Sequence, residues 1–93
     1  MKSIIQTKKE CFITGDIHNL HKHHVFEGTA NRRLSEKYGL WLWLRADWHN
    51  LADYGVHFNK ELDRKLKVLA QEKFEEIYGH NKFMEVFKKN YIY

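Results

Sequence analysis

The sequence predicts an α+β protein: a His-rich strand–loop–strand–helix unit over about residues 10–57, then a supporting helical hairpin over about 58–93, all in one domain. Three observations predict it. Leu40 to Leu44 (Leu-Trp-Leu-Trp-Leu) is a short apolar, aromatic-rich run with Gly39 before it and polar residues after it, the pattern of a buried strand. Leu62, Leu66, Leu69, Ala70, Phe74 and Ile77 recur at helical spacing between Asn59, a natural N-cap, and Gly79, a natural stop. Finally, 93 residues at 43% apolar and 15% aromatic content are too ordered in composition for a disordered chain, and enough for only one small core.

Along the chain, Glu10 to Ile13 reads as a short extended piece and Thr14-Gly15-Asp16 as a turn. Leu20 to Phe26 alternates loosely and predicts a strand. Glu27-Gly28-Thr29 is a loop, with Thr29 as the cap of a short helix that runs to Tyr38 and stops at Gly39. The Leu40–Leu44 strand is expected to be buried on both faces. Asp47 then caps a helix that carries His49 and Asp53 and ends at Gly55. After the long helix, a last short one over about Asn81 to Lys89 puts Phe83, Val86 and Phe87 on one face. The apolar stripes of these two helices are core, with no cofactor motif in them.

Composition excludes several classes. No apolar run approaches the length of a membrane span, and Met1 to Glu10 lack a secretory signal core. The single cysteine, Cys11, can make no internal disulfide and cannot alone hold a structural zinc; a soluble, cytoplasmic protein is expected. The net charge of +4 and pI near 9.2 favour an anionic partner mildly. Lys8-Lys9, Arg32-Arg33 and Lys88-Lys89 are pairs that can meet phosphate.

The unusual feature is histidine. Six of the seven lie between positions 18 and 57, a density that packing does not require, and imidazole is both the commonest metal ligand and the side chain suited to proton transfer near neutral pH. Neighbours on a strand point to opposite sides, so of His23 and His24 one can bind metal while the other takes a proton from water. His49 and Asp53, four residues apart on one helical turn, would face the same ion. Two imidazoles and a carboxylate leave coordination positions open, as a catalytic site needs. His57, just past Gly55, is the alternative to Asp53 as a ligand. His18, His21 and His80 read as loop or surface residues, with His21 placed to reach the site.

This order of a His-His pair on a strand, a loop, a second strand and a ligand-bearing helix resembles the HNH, or ββα-metal, nucleases. The stretch from His21-Lys-His-His through Leu40-Trp41, with Trp48-His-Asn and Gly55-Val-His-Phe-Asn beyond it, is similar to small HNH-type proteins of phages and mobile elements. The resemblance covers about residues 10–60. It implies that His23 is a metal ligand, His24 the general base, and His49 a further ligand, with Asp53 or His57 completing the set. It further implies a divalent cofactor (Mg, Mn, Ni or Zn), DNA as partner, and phosphate contacts from Arg32, Arg33, Lys8 and Lys9.

Two departures stand out. The zinc knuckle of many such proteins needs two Cys-x-x-Cys pairs, whereas here the positions read Cys11-Phe-Ile-Thr14 and Arg45-Ala-Asp-Trp48, so no structural four-cysteine zinc is expected and apolar packing around Trp48 is its expected substitute. The family's middle Asn, which orients the base, has no counterpart in Leu40-Trp41-Leu42. Two readings follow: a metal-dependent DNA endonuclease, or a catalytically degenerate HNH-like phage protein that binds DNA or inhibits a host defence nuclease. A protein partner or homodimer is compatible with either.

Overall fold

The computed structural model describes residues 1–92. It is a small α+β protein in the order β1 (Leu20–His24), α1 (Thr29–Tyr38), β2 (Trp41–Arg45), a single π turn (Asp47–Leu51), a 3₁₀ turn (Val56–Phe58), α2 (Lys60–Tyr78) and α3 (His80–Phe87). The two strands pair antiparallel, with His23 opposite Leu42, His21 opposite Leu44, Lys22 opposite Trp43 and His24 opposite Trp41. Because directly opposed residues share a face, this register sorts the ribbon into two sides. His21 and His23 share the inner face with buried Leu42 and Leu44; Lys22 and His24 share the outer face with Trp41 and Trp43.

The inner face sits on a core of Leu40, Leu42, Leu44, Val56, Leu66, Ala70, Phe74 and Phe83, all buried, with Val25 and Phe26 from the end of β1. The long helix starts where the sequence predicts: the Asn59 carboxamide oxygen accepts from the Leu62 amide at 3.1 Å, satisfying one of the orphan donors of a first turn. Phe74 then carries the contact to α3, with ring centroids 5.4 Å from Phe83 and 5.9 Å from Phe87. Gln71, fully buried, donates to Glu75 and Asn90 and accepts from the Tyr91 amide, which ties the C-terminal segment back onto α2.

Several boundaries differ from expectation for local reasons. β1 ends at His24 because the chain bends before α1, although the Val25 amide still reaches the Leu40 carbonyl at 3.1 Å. Gly28, with φ of 92°, precedes α1 without a side-chain cap, so Thr29 is the first helical residue and not the cap. Residues 10–13 form no strand, yet the Phe12 amide bonds to the Trp43 carbonyl. β2 is buried on one face only. Trp41 and Trp43 are half-buried under the N-terminal segment, where Trp41 Nε1 donates to the Met1 carbonyl and the ammonium groups of Lys22 and Lys9 lie 4.0 and 4.7 Å from the Trp41 and Trp43 rings, within cation–π range. α3 closes at Phe87, where Lys88 turns left-handed with φ of 61°.

Where the knuckle positions would meet, ion pairs join the loops. Arg45 grips Asp47 through two parallel bonds of 2.7 and 2.9 Å and reaches Asp16 at 3.3 Å, a fork geometry that suits guanidinium and carboxylate. Tyr54 donates to the same Asp47 at 2.6 Å and its ring lies against Trp48 at 4.7 Å. Trp48 also packs against the core, as expected, so apolar contact and charge pairs stand here together. Cys11 is buried beside this network.

The largest departure follows β2. The expected helix from Asp47 to Gly55 is one π turn that stops at Leu51, with Ala52 extended at φ −129° and ψ 157°. Gly55 then folds back, its amide bonding to the Ala52 carbonyl at 2.9 Å. A Cβ at Gly55 would lie 2.7 Å from the Asp47 carbonyl oxygen and 3.0 Å from those of Ala52 and His49, so this close approach requires glycine. Gly55→Ala is expected to cost about 1–3 kcal/mol of stability by overpacking, read as a lower chemical-denaturation midpoint. An unchanged midpoint would show that the turn relaxes freely.

Candidate metal centre

The centre is built on the alternation of β1. His21 and His23, two residues apart, project to the same side, and the π turn lays His49 across both: its ring centroid is 5.1 Å from that of His21 and 5.3 Å from that of His23. The 3₁₀ turn adds His57, 5.4 Å from His23 and 4.6 Å from His49. One ring nitrogen from each of His23, His49 and His57 lies within 4.8 Å of the others, a spacing that three ligands of one ion adopt. His23 is 1% exposed, and its Nε2 is buried without a hydrogen-bond partner among the described residues. An orphaned buried nitrogen is costly unless something meets it, and a metal ion is the species that this donor set fits.

The electrostatics agree with that fit. Burial, reinforced by the neighbouring His49 and His57, pushes His23 down to about 3. Burial and then the His57 and His21 rings push His49 down to about 4. At neutral pH both imidazoles are therefore uncharged, the form that coordinates metal.

Of the residues singled out from the sequence, His23, His49 and His57 are brought together. Asp53 is exposed in the turn after Leu51 and stands outside the group, because the i, i+4 relation to His49 needs an α-helix that is not formed. His24, on the opposite face of β1, bonds through Nε2 to Glu36 Oε1 at 3.0 Å, and Lys22 reaches the same oxygen at 2.8 Å. Lys22 first, then His24, holds the Glu36 carboxyl down to about 2. Since β1 ends at His24, both members of the pair border one cleft, together with Lys22, Glu27, Arg32, His49 and His57. Arg33 lines an adjoining depression with Arg32, Gly28 and Thr29. Lys9 lies over Trp43 on the outer face, and neither it nor Lys8 lines the cleft. His80, at the start of α3, pairs with Glu75 at 2.8 Å.

Sequence reasoning missed Glu36 and Glu27. Glu27 enters the cleft wall; burial, then the neighbouring Asp63 carboxyl of α2, raises its carboxyl above the usual range. No motif links these carboxylates to the histidines, and only the one-turn spacing of Glu36 behind Arg32 and Arg33 in an amphipathic helix hints at a shared face.

No family model, curated protein or solved structure matches the chain.

Proposed function

We propose that this protein is a metal-dependent endonuclease of the HNH type, cleaving DNA phosphodiester bonds in the cytoplasm, with His23, His49 and His57 as ligands and His24 as general base. The observation that carries this reading is the buried, unpartnered His23 Nε2 facing two further imidazoles, with His24 at the rim of the same cleft. The succession of β1, β2 and a His-bearing turn supports a ββα-metal unit, shortened in that one π turn and one 3₁₀ turn stand for its helix.

A bound divalent ion would supply Lewis-acid stabilisation of charge on the scissile phosphate and the leaving 3′ oxygen. Three imidazoles suit Zn or Ni better than Mg. His24 has the arrangement of a base: a carboxylate only accepts, so a neutral His24 donates Nε2–H to Glu36 and keeps Nδ1 unprotonated. Glu36 thus does the orienting work for which no Asn is available. Lys22 and Arg32 bring positive charge to the cleft, and Arg33 extends it along α1.

Nicking of supercoiled plasmid, with and without chelator, across Zn, Ni, Mn and Mg tests the proposal; metal-dependent nicking is expected. The second reading, a degenerate HNH-like protein that binds DNA or inhibits a host nuclease, is favoured by the ion pairs that stand at the knuckle positions. It prevails if no ion supports nicking. In either case Arg32→Ala with Arg33→Ala is expected to weaken DNA binding and to flatten its salt dependence by up to about two phosphate contacts. An unchanged slope would point to a protein partner.

A further inference from the structure

Among the histidines that the proposed site does not use (His18, His21 and His80), His21 lies directly against a proposed ligand. Its Nδ1 lies 3.0 Å from Nδ1 of His49, while Nε2 of His49 lies 3.0 Å from Nε2 of His57. His49 is thus spanned, one nitrogen to each neighbour. An ion shared with His23 and His57 must be met on the His57 side, by Nε2, because Nδ1 faces away toward His21, which stands outside the ligand group.

We propose that His21 is the positioning residue of this centre, accepting the Nδ1–H of His49 and so holding Nε2 of His49 unprotonated for the ion. The inference rests on the metal reading above and concerns which nitrogen is presented and how firmly. Two nitrogens 3.0 Å apart need one proton between them. Placing it on His49 leaves His21 neutral with its own N–H on Nε2, and the contact between His49 and His57 is then made by the Nε2–H of His57. On loading, His57 moves that proton to its Nδ1, and no proton need leave the pair of His21 and His49. A fixed ring orientation and a more basic ligand nitrogen are what an outer hydrogen bond gives a metal-bound imidazole.

The fold supplies the geometry. His21 sits two residues before His23 on β1, opposite Leu44, on the inner face that the π turn crosses. It is half-buried, so its ring fills space that an apolar residue could fill equally well; the acceptor nitrogen is what such a residue would lack.

The test uses the full chain titrated with Zn²⁺ by calorimetry, and with Co²⁺ by visible absorption, for the parent, His21→Phe and His21→Asn. Phe keeps the ring and removes the acceptor; the Asn carboxamide oxygen can stand near the position of the imidazole Nδ1. His21→Phe is expected to bind Zn²⁺ roughly 10–100-fold more weakly with an unchanged metal-free melting temperature, and His21→Asn to recover most of that loss. Long-range ¹H–¹⁵N spectra of the Zn²⁺-loaded parent should show His49 protonated at Nδ1. That measurement decides the matter even if a variant fails to fold. Parent-like affinity in His21→Phe, or His49 carrying its proton on Nε2, overturns the role of His21 while leaving the metal site standing. A parent that binds neither ion overturns both.

Discussion

His24→Ala is expected to bind Zn²⁺ as the parent does and to nick plasmid roughly 10²–10⁴-fold more slowly. It deletes the proposed proton acceptor, which lies on the outer face of β1, and leaves the three inner imidazoles in place. His49→Ala is expected to fail differently. It removes the ligand that both His21 and His57 touch, so metal affinity falls first and the rate falls with it. Raising the metal concentration should then recover part of the rate for His49→Ala and none for His24→Ala. Calorimetry for the ion and plasmid nicking for the rate separate the two; equal loss of metal binding in both variants would refute the division of labour.

The second large effect is on stability in acid. The folded protein holds His23 at about 3 and His49 at about 4, below the 6.5 of an ordinary imidazole. As pH falls the unfolded chain therefore takes up protons first. The stability contributed by these neutral rings is complete above about 6.5 and is lost progressively as pH falls toward about 3. For His23 alone, two pH units below 6.5 amounts to on the order of 3 kcal/mol, a large share of the 5–15 kcal/mol typical of a domain. Urea midpoints of the metal-free protein should drop between pH 7.5 and 4.5, and His23→Leu should flatten the dependence. Zn²⁺ should stabilise the protein at pH 7.5, by about 2.7 kcal/mol at a hundredfold excess over its Kd. A midpoint that does not move with pH would mean that His23 finds a partner or water in solution.

Much of the frame was legible in the sequence because local and global preferences agree there. Asn59, the Leu66–Phe74 stripe and Gly79 all point to one helix, and α2 runs between those marks. The Leu-Trp-Leu-Trp-Leu run is β2 displaced by one residue, to Trp41–Arg45, though alternation, and not continuous burial, governs it: small ribbons have one buried face. What failed was the segment after Asp47. A cap and suitably spaced residues describe an α-helix, but the carbonyls gathered around Gly55 are long-range packing that no local pattern encodes. That single misreading is what put Asp53 ahead of His57 as the third ligand. Glu36, Glu27 and Asp63 were invisible for a related reason: Glu36 comes from α1, Glu27 from the loop before it and Asp63 from α2, and no motif in the chain links these carboxylates to the histidines.

The two-sided ribbon has an evolutionary corollary. Which side of the ribbon each histidine of the pair faces is decided by parity, odd positions of β1 turning inward and even positions outward. An indel of a single residue inside Leu20–His24 would exchange the two sides, and with them the two proposed roles, at a stroke, whereas lengthening the connection before α1 changes only its slack. Lineages of this protein should therefore tolerate drift in the loop around Glu27 and Gly28 while keeping the spacing within β1 invariant, even where the residues themselves are replaced.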